Sequence, residues 1–284
     1  MRKRYSIAYK EEGESLAAER RFAYTVASGF AQVSFSLEEG AIRPEVLAAA
    51  RAAGLETEAL YLPADSLNLL WEPSPSKTPA EDVLPSDPIL PDETTWEELL
   101  SLYAFYFTFA VGVGIRRVIL PSSCGKNPAH VTQAALARFR TLAELAKEKG
   151  VRLLIENGMS APHFEAVVRV CCEDGYHGVS FMPARAFHYF GTSALPPYAA
   201  NHLVRVSLDD FKGGESGYLP LDGDTDYRPF AKSVAALHFR GTLAVSPNAL
   251  LPLYRELGYF GLSSRAYDRM SSVLRLMKNA EGVV

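Results

Sequence analysis

The chain has 284 residues, 48% hydrophobic and 22% charged, an ordinary balance for a globular protein long enough to bury a large core without covalent staples. Its net charge of −4 comes without any basic block or stripe, which argues against a nucleic-acid partner, since phosphate binding needs clustered Lys and Arg. The most apolar stretch, residues 102–120, is interrupted by two glycines and two arginines and does not read as a bilayer span, so no membrane role is expected.

Three cysteines, Cys124, Cys171 and Cys172, cannot all pair, and adjacent Cys171 and Cys172 are poorly placed to bridge each other. That usage points to a reducing, cytoplasmic compartment. Met1-Arg2-Lys3-Arg4 is basic, but the residues after it become charged too soon for the apolar region of a signal peptide.

Short β-rich runs alternate with amphipathic stretches along the whole length. The first run is 4–9, followed by a helical stretch over 15–28 that stops at Gly29. A strand over 32–37 leads to a helix opened by Pro44 and closed by Gly54, and a third strand covers 57–62. A long connection over 63–94 follows, Pro/Ser-rich after Trp71, of the kind that forms lids or stays disordered. A helix over 96–111, a strand over 117–120 and a helix over 129–149 come next; two lysines lie in that helix's last turn and Gly150 stops it. The fifth strand, 151–156, ends on Glu156. Three more are expected at 177–182, 203–208 and 241–246, with Asp226 as the cap of the helix before the eighth and a last helix over 263–278.

Eight strand–helix units in alternation call for a parallel sheet, and eight is the number at which such a sheet closes. The fold expected is therefore α/β, a single-domain (β/α)8 barrel over residues 1–284. An open doubly wound sheet is the rival, but it would carry a glycine-rich phosphate turn after its first strand, where this chain has Lys10-Glu11-Glu12-Gly13-Glu14-Ser15.

Several segments resemble the sugar phosphate isomerase/epimerase family, the xylose isomerase-like TIM barrels that also include family 2 apurinic endonucleases. They are Gly29 to Phe35, Ala53-Gly54-Leu55-Glu56, Asn68 to Glu72, Leu142 to Asn157 (LAELAKEKGVRLLIEN) and Pro220 to Tyr227 (PLDGDTDY). Their order and spacing cover nearly the whole chain. The resemblance implies histidines at the ends of strands three and four, and a metal-binding Glu, Asp, His and Glu after strands five to eight. It also implies that the two glutamates move a proton next to a carbonyl.

This sequence keeps Glu156 and replaces the others: Tyr61, Leu120, Met182, Ser207 and Ser246 stand at those strand ends, with Arg185 where a further histidine often sits. One carboxylate, two serines and a methionine do not make a transition-metal site, so no metal or other cofactor is expected. Glu156, at the end of an apolar strand, is the leading candidate for a general base. The alternative is that it pairs with Arg185 or Lys212 and only holds the rim together. Asp210 matches a family position that contacts substrate and is the second catalytic candidate, while Asp209 reads as loop. Lys212-Gly213-Gly214 could cradle an anion or be a plain turn.

Trp71 and the run Phe187 to Phe190, with His188, could wall a sugar face or simply pack. Tyr9, Tyr61, Trp71, Asn157, Arg185, His188, Ser207, Lys212 and Ser246 make up the expected substrate-binding set. The other histidines (130, 163, 177, 202, 238) read as structural. Cys124 lacks a histidine to activate it, so nucleophilic catalysis is not expected.

The partner expected is a small sugar, sugar phosphate or polyol at the barrel mouth, with a homodimer possible. Two functions stay open: a metal-independent isomerase or epimerase working through Glu156, and a catalytically degenerate barrel that only binds a ligand or assembles. An endonuclease would need a multi-zinc cluster and a basic surface, and the sequence offers neither.

Overall fold

The computed structural model describes residues 5–9, 17–37, 42–63, 67–71, 95–124 and 130–281. Eight parallel strands close into a barrel: β1 (Tyr5–Ala8), β2 (Gln32–Ser36), β3 (Glu56–Tyr61), β4 (Arg117–Pro121), β5 (Arg152–Glu156), β6 (Gly178–Phe181), β7 (Leu203–Ser207) and β10 (Thr242–Val245). Each pairs with its neighbours in chain order, and β10 closes the ring against β1. β8 (Asp210–Lys212) and β9 (Glu215–Tyr218) form a separate antiparallel hairpin above the end of β7.

Helices fill the intervals: α1 (Ala18–Ala27), α2 (Pro44–Ala52), α3 (Leu67–Trp71), α4 (Trp96–Gly112), α5 (Gln133–Glu148), α6 (Ala161–Cys171), α7 (Pro183–Phe190), α8 (Pro197–Ala200), α9 (Arg228–Ala235) and α10 (Gly258–Glu281). Local chemistry sets many of their ends. Thr95 and Glu98 form a reciprocal capping box on α4, and the Thr132 hydroxyl accepts the Ala135 N–H at the start of α5. α5 stops at Gly150, whose φ of 72° an L side chain rarely adopts.

The helices pack their apolar faces on the outside of the barrel through residues such as Phe22, Phe107, Phe139, Phe164 and Phe230. Inside it, a small apolar plug of Ala59, Ile119 and Leu154 touches Tyr61 and Val204. Among the described residues no helix is long and apolar enough to cross a membrane.

The eight expected strands are all present, and five details differ. α1 begins at Ala18, and residues 10–16 lie outside the described set. The connection after β3 contains the short helix α3, while 72–94 are likewise outside it. α10 starts at Gly258, five residues before the expected Ser263, because Leu262 just ahead of that point already packs in the core with Ala266 and Met270. The segment read as an anion cradle or plain loop at Lys212-Gly213-Gly214 is a tight hairpin turn, with positive φ at Gly213 (57°) and Gly214 (87°). The Gly213 N–H is taken by the Asp224 carboxylate. Asp226 caps α9 from one position further out than expected, its Oδ1 accepting the Arg228 N–H while Tyr227 stands at the cap itself.

Candidate functional site

The strands converge at their C-terminal ends on a cavity of about 400 Å³, the face where barrels of this architecture carry their sites. Its walls come from the ends of β4 to β7 and β10 and from the hairpin. They include Ser123, Cys124, Gly158, Met159, Met182, Arg185, Asp209, Phe211 and Ser246. Charged, hydroxyl and apolar groups therefore share one opening.

Beneath this cavity, Glu156 is the buried terminus of β5, and its side chain is 2% exposed. Three donors claim it. Ser180 Oγ (2.9 Å) and Ser207 Oγ (3.0 Å) donate to Oε1, and Arg185 Nη1 (3.1 Å) donates to Oε2. Every one of these contacts sets an N–H or O–H, not a lone pair, against the carboxylate. Arg185 also donates to the Asn157 carbonyl at 3.0 Å, and unlike Glu156 it borders the cavity. Among the described residues no three His, Cys, Asp or Glu side chains gather as a metal-holding group.

Arg205, mid-strand on β7, is the centre of the polar layer below Glu156. Its side chain is 1% exposed, yet it carries a full charge inside the barrel. Nε donates to Glu58 Oε2 at 3.1 Å, while Nη1 reaches the Tyr61 hydroxyl (2.8 Å), Ser207 Oγ (2.5 Å) and Ser180 Oγ (3.2 Å). Arg117 Nη1 meets the other Glu58 oxygen at 3.4 Å. Burial alone would weaken the Arg205 proton, but Tyr61, Glu58 and Glu156 outweigh it and hold the guanidinium charged. Burial pushes the Tyr61 phenol well up, against the pull of Arg205.

The two partners meet because their strands are irregular. The β2–β3 register slips so that Thr57 and Ala59 face successive residues of β2, leaving Glu58 as the extra residue. The β6–β7 register slips in the same way at Val204, next to Arg205. A bulge of this kind re-aims a side chain.

The remaining candidates fall into two groups. Tyr61, Arg185, Ser207 and Ser246 come together at or just below the mouth with Glu156. Ser246 borders the cavity, and its N–H donates to Asp209 Oδ1. The others do other work. Asp210 is fully buried, and its oxygens accept the N–H groups of Phe211 (2.8 Å), Leu221 (3.1 Å), Gly223 (3.2 Å) and Thr225 (3.2 Å). Burial raises its carboxyl, with those donors pulling the other way.

Asn157 spends both ends of its amide on the Met182 backbone. Trp71 is buried, donates to the Ser122 carbonyl at 2.9 Å and packs against Phe139 and His163, so it lies behind the β4 turn and not over a ligand. Tyr9 packs between Phe22 and Phe35. His188 is exposed and stacks on Phe211, whose other surroundings include the cavity. Lys212 is exposed on the hairpin, so Arg185 is the partner that Glu156 takes.

Sequence reasoning missed Arg205, Glu58 and Ser180, and read Asp209 as loop. Arg205, a charge in the middle of the short strand Leu203–Ser207, was the available signal, whereas Glu58 shares its strand with Glu56 and Thr57.

No protein-family model and no curated protein matches the sequence. Solved structures do. A xylose isomerase-like TIM barrel/4-hydroxyphenylpyruvate dioxygenase fusion protein superposes with a TM-score of 0.68 at 16% identity over 99% of this chain, which spans only 45% of that one. L-ribulose 3-epimerase gives 0.65 at 15% identity, with 99% and 98% of the two chains covered. A sugar phosphate isomerase/epimerase from Parabacteroides distasonis gives 0.61 at 10% identity, covering 99% and 96%. The chain thus has the xylose isomerase-like TIM-barrel fold. Identities this low establish the fold and leave the chemistry to the site.

Proposed function

We propose that this chain binds a small polyhydroxylated ligand (a sugar, sugar phosphate or sugar acid) in the cavity over β4 to β7 and β10, as a divergent relative of sugar isomerases and epimerases. The observation that carries the reading is the cavity itself. Arg185, Asp209, Ser123 and Ser246 line one opening of about 400 Å³ together with the apolar residues Met159, Met182 and Phe211. Convergent polar groups in a partly apolar recess suit a polyol, whose hydroxyls need both donors and acceptors. Similar folds named as epimerases of L-ribulose and D-allulose support the ligand class.

The test is calorimetric titration with a panel of pentoses, hexoses, their phosphates and their acids. A member of the panel binds saturably, and Arg185→Ala weakens it roughly 10- to 100-fold, the worth of one charge-assisted hydrogen bond. Binding that ignores Arg185→Ala, or no binding across the panel, overturns the reading.

A second reading, proton transfer by Glu156, is favoured by one feature: Arg185 both covers Glu156 Oε2 and borders the cavity. An anionic ligand that draws Arg185 toward itself would bare that oxygen to a substrate C–H. Solvent deuterium would then enter a bound ketose, and Glu156→Gln would abolish the exchange. Exchange that survives Glu156→Gln refutes it.

A further inference from the structure

We infer that Arg205 is a fixed internal cation of this barrel, a positioning residue that supplies the countercharge of Glu58 and Glu156 and, through two serine hydroxyls, sets the orientation of Glu156 beneath the mouth. The donors around Glu156 do not fit a divalent cation, and Arg205 is the reason.

A serine hydroxyl has a single hydrogen. Ser207 Oγ accepts from Arg205 Nη1 at 2.5 Å and lies 3.2 Å from the Tyr61 hydroxyl, so its own proton is directed at Glu156 Oε1, 3.0 Å away. Ser180 is constrained alike: it accepts from Arg205 at 3.2 Å and donates to Glu156 at 2.9 Å. The guanidinium thereby turns two neutral side chains into donors to one oxygen. A metal ion at Glu156 would need lone pairs from those positions.

Charge gives the same answer. Glu58 from β3 and Glu156 from β5 face Arg205 from β7, Arg117 from β4 and Arg185 from α7, at N–O distances of 3.1–3.9 Å. Two carboxylates against three guanidinium groups leave the cluster without negative charge for a divalent ion. Tyr61 adds a neutral phenol, because burial holds its proton on. Asp209, above the end of β7, is already engaged with the Ser246 N–H.

A buried charge persists only when it is paired and hydrogen-bonded, and removing one partner is costly because the other stays behind. That gives a test in the full-length protein. Arg205→Met, similar in volume and neutral, should lower the melting temperature by roughly 10 °C, the usual scale for breaking a buried pair in a domain this large. Arg205→Lys should recover part of the loss, since it restores the charge without the fork that reaches Glu58 and the hydroxyls together. Both Glu58→Gln and Glu156→Gln, each combined with Arg205→Met, should melt above Arg205→Met alone. Wild-type protein mixed with Co²⁺ should show no visible protein–cobalt absorption band.

Other results overturn the inference. If Lys recovers nothing, the arginine acts by shape and not charge. If Glu58→Gln rescues and Glu156→Gln does not, Arg205 serves β3 alone and has no tie to the mouth. One cobalt ion bound per wild-type chain, lost in Glu156→Gln, would show that the donors do accommodate a divalent cation.

Discussion

Replacing Asp210 by Asn distinguishes a substrate contact from a structural anchor. The carboxylate accepts four backbone N–H groups: Phe211 and Thr225 on Oδ1, and Leu221 and Gly223 on Oδ2. Together these tie the hairpin to the 221–225 turn, where Leu221 holds a positive φ of 69°. The amide keeps one oxygen and turns an NH2 group toward the other pair of donors. Two hydrogen bonds to a charged acceptor, each worth about 1.5–3 kcal/mol, are lost. Relief from burying a charge, visible in the raised Asp210 carboxyl, returns part of that. A net loss of about 3 kcal/mol lowers the melting temperature by roughly 6–12 °C in a domain of this size. Circular dichroism during thermal unfolding reads the loss, and hydrogen exchange should quicken at residues 211, 221, 223 and 225. An Asn variant that melts with wild type but no longer binds ligand would refute the anchor and restore Asp210 to the substrate.

Two further outcomes follow from the packing. His177 is buried, with Nδ1 accepting the Leu153 N–H and Nε2 facing the Ala143 carbonyl, a pattern that requires the neutral ring, and burial lowers its proton affinity. The unfolded chain therefore binds a proton that the native state refuses. Stability contributed by this residue is fully present above about pH 6.5 and is lost progressively as pH falls below it toward the lowered native-state value, and His177→Gln should flatten the melting-temperature profile between about pH 7 and pH 5; an unchanged slope contradicts the assignment. At Gly158, a Cβ would stand 2.2 Å from the Ser123 carbonyl and 2.4 Å from its hydroxyl, so the turns after β4 and β5 pack without room for a side chain. Gly158→Ala should cost about 1–3 kcal/mol in denaturant unfolding and weaken ligand binding, because both residues border the cavity. Wild-type stability would show that the turns separate freely.

The barrel was legible because short β-rich runs alternate with helices that have recognisable ends, such as the glycine stop at Gly150 and the proline start at Pro44. Glu156 stood out as a charge at the end of Arg152-Leu153-Leu154-Ile155. The floor of the site was not legible. Glu58 and Arg205 are 147 positions apart, and each sits at a bulge that breaks the two-residue alternation on which an inside–outside assignment rests. Trp71 and Tyr9 looked like mouth residues because aromatic rings serve packing and sugar binding equally well in sequence. Only their neighbours, Phe139 and His163 for one and Phe22 and Phe35 for the other, reveal which. The Gly213-Gly214 turn was ambiguous for a similar reason, since tight hairpins and anion cradles use the same residues.

The proposed carbohydrate site works with the charges the chain itself provides. Calorimetric titration of the tightest sugar from the panel, run once in excess EDTA and once in Mn²⁺, tests it most directly. The same affinity is expected in both, reduced together by Arg185→Ala. Binding that vanishes in EDTA and returns with Mn²⁺ would contradict it.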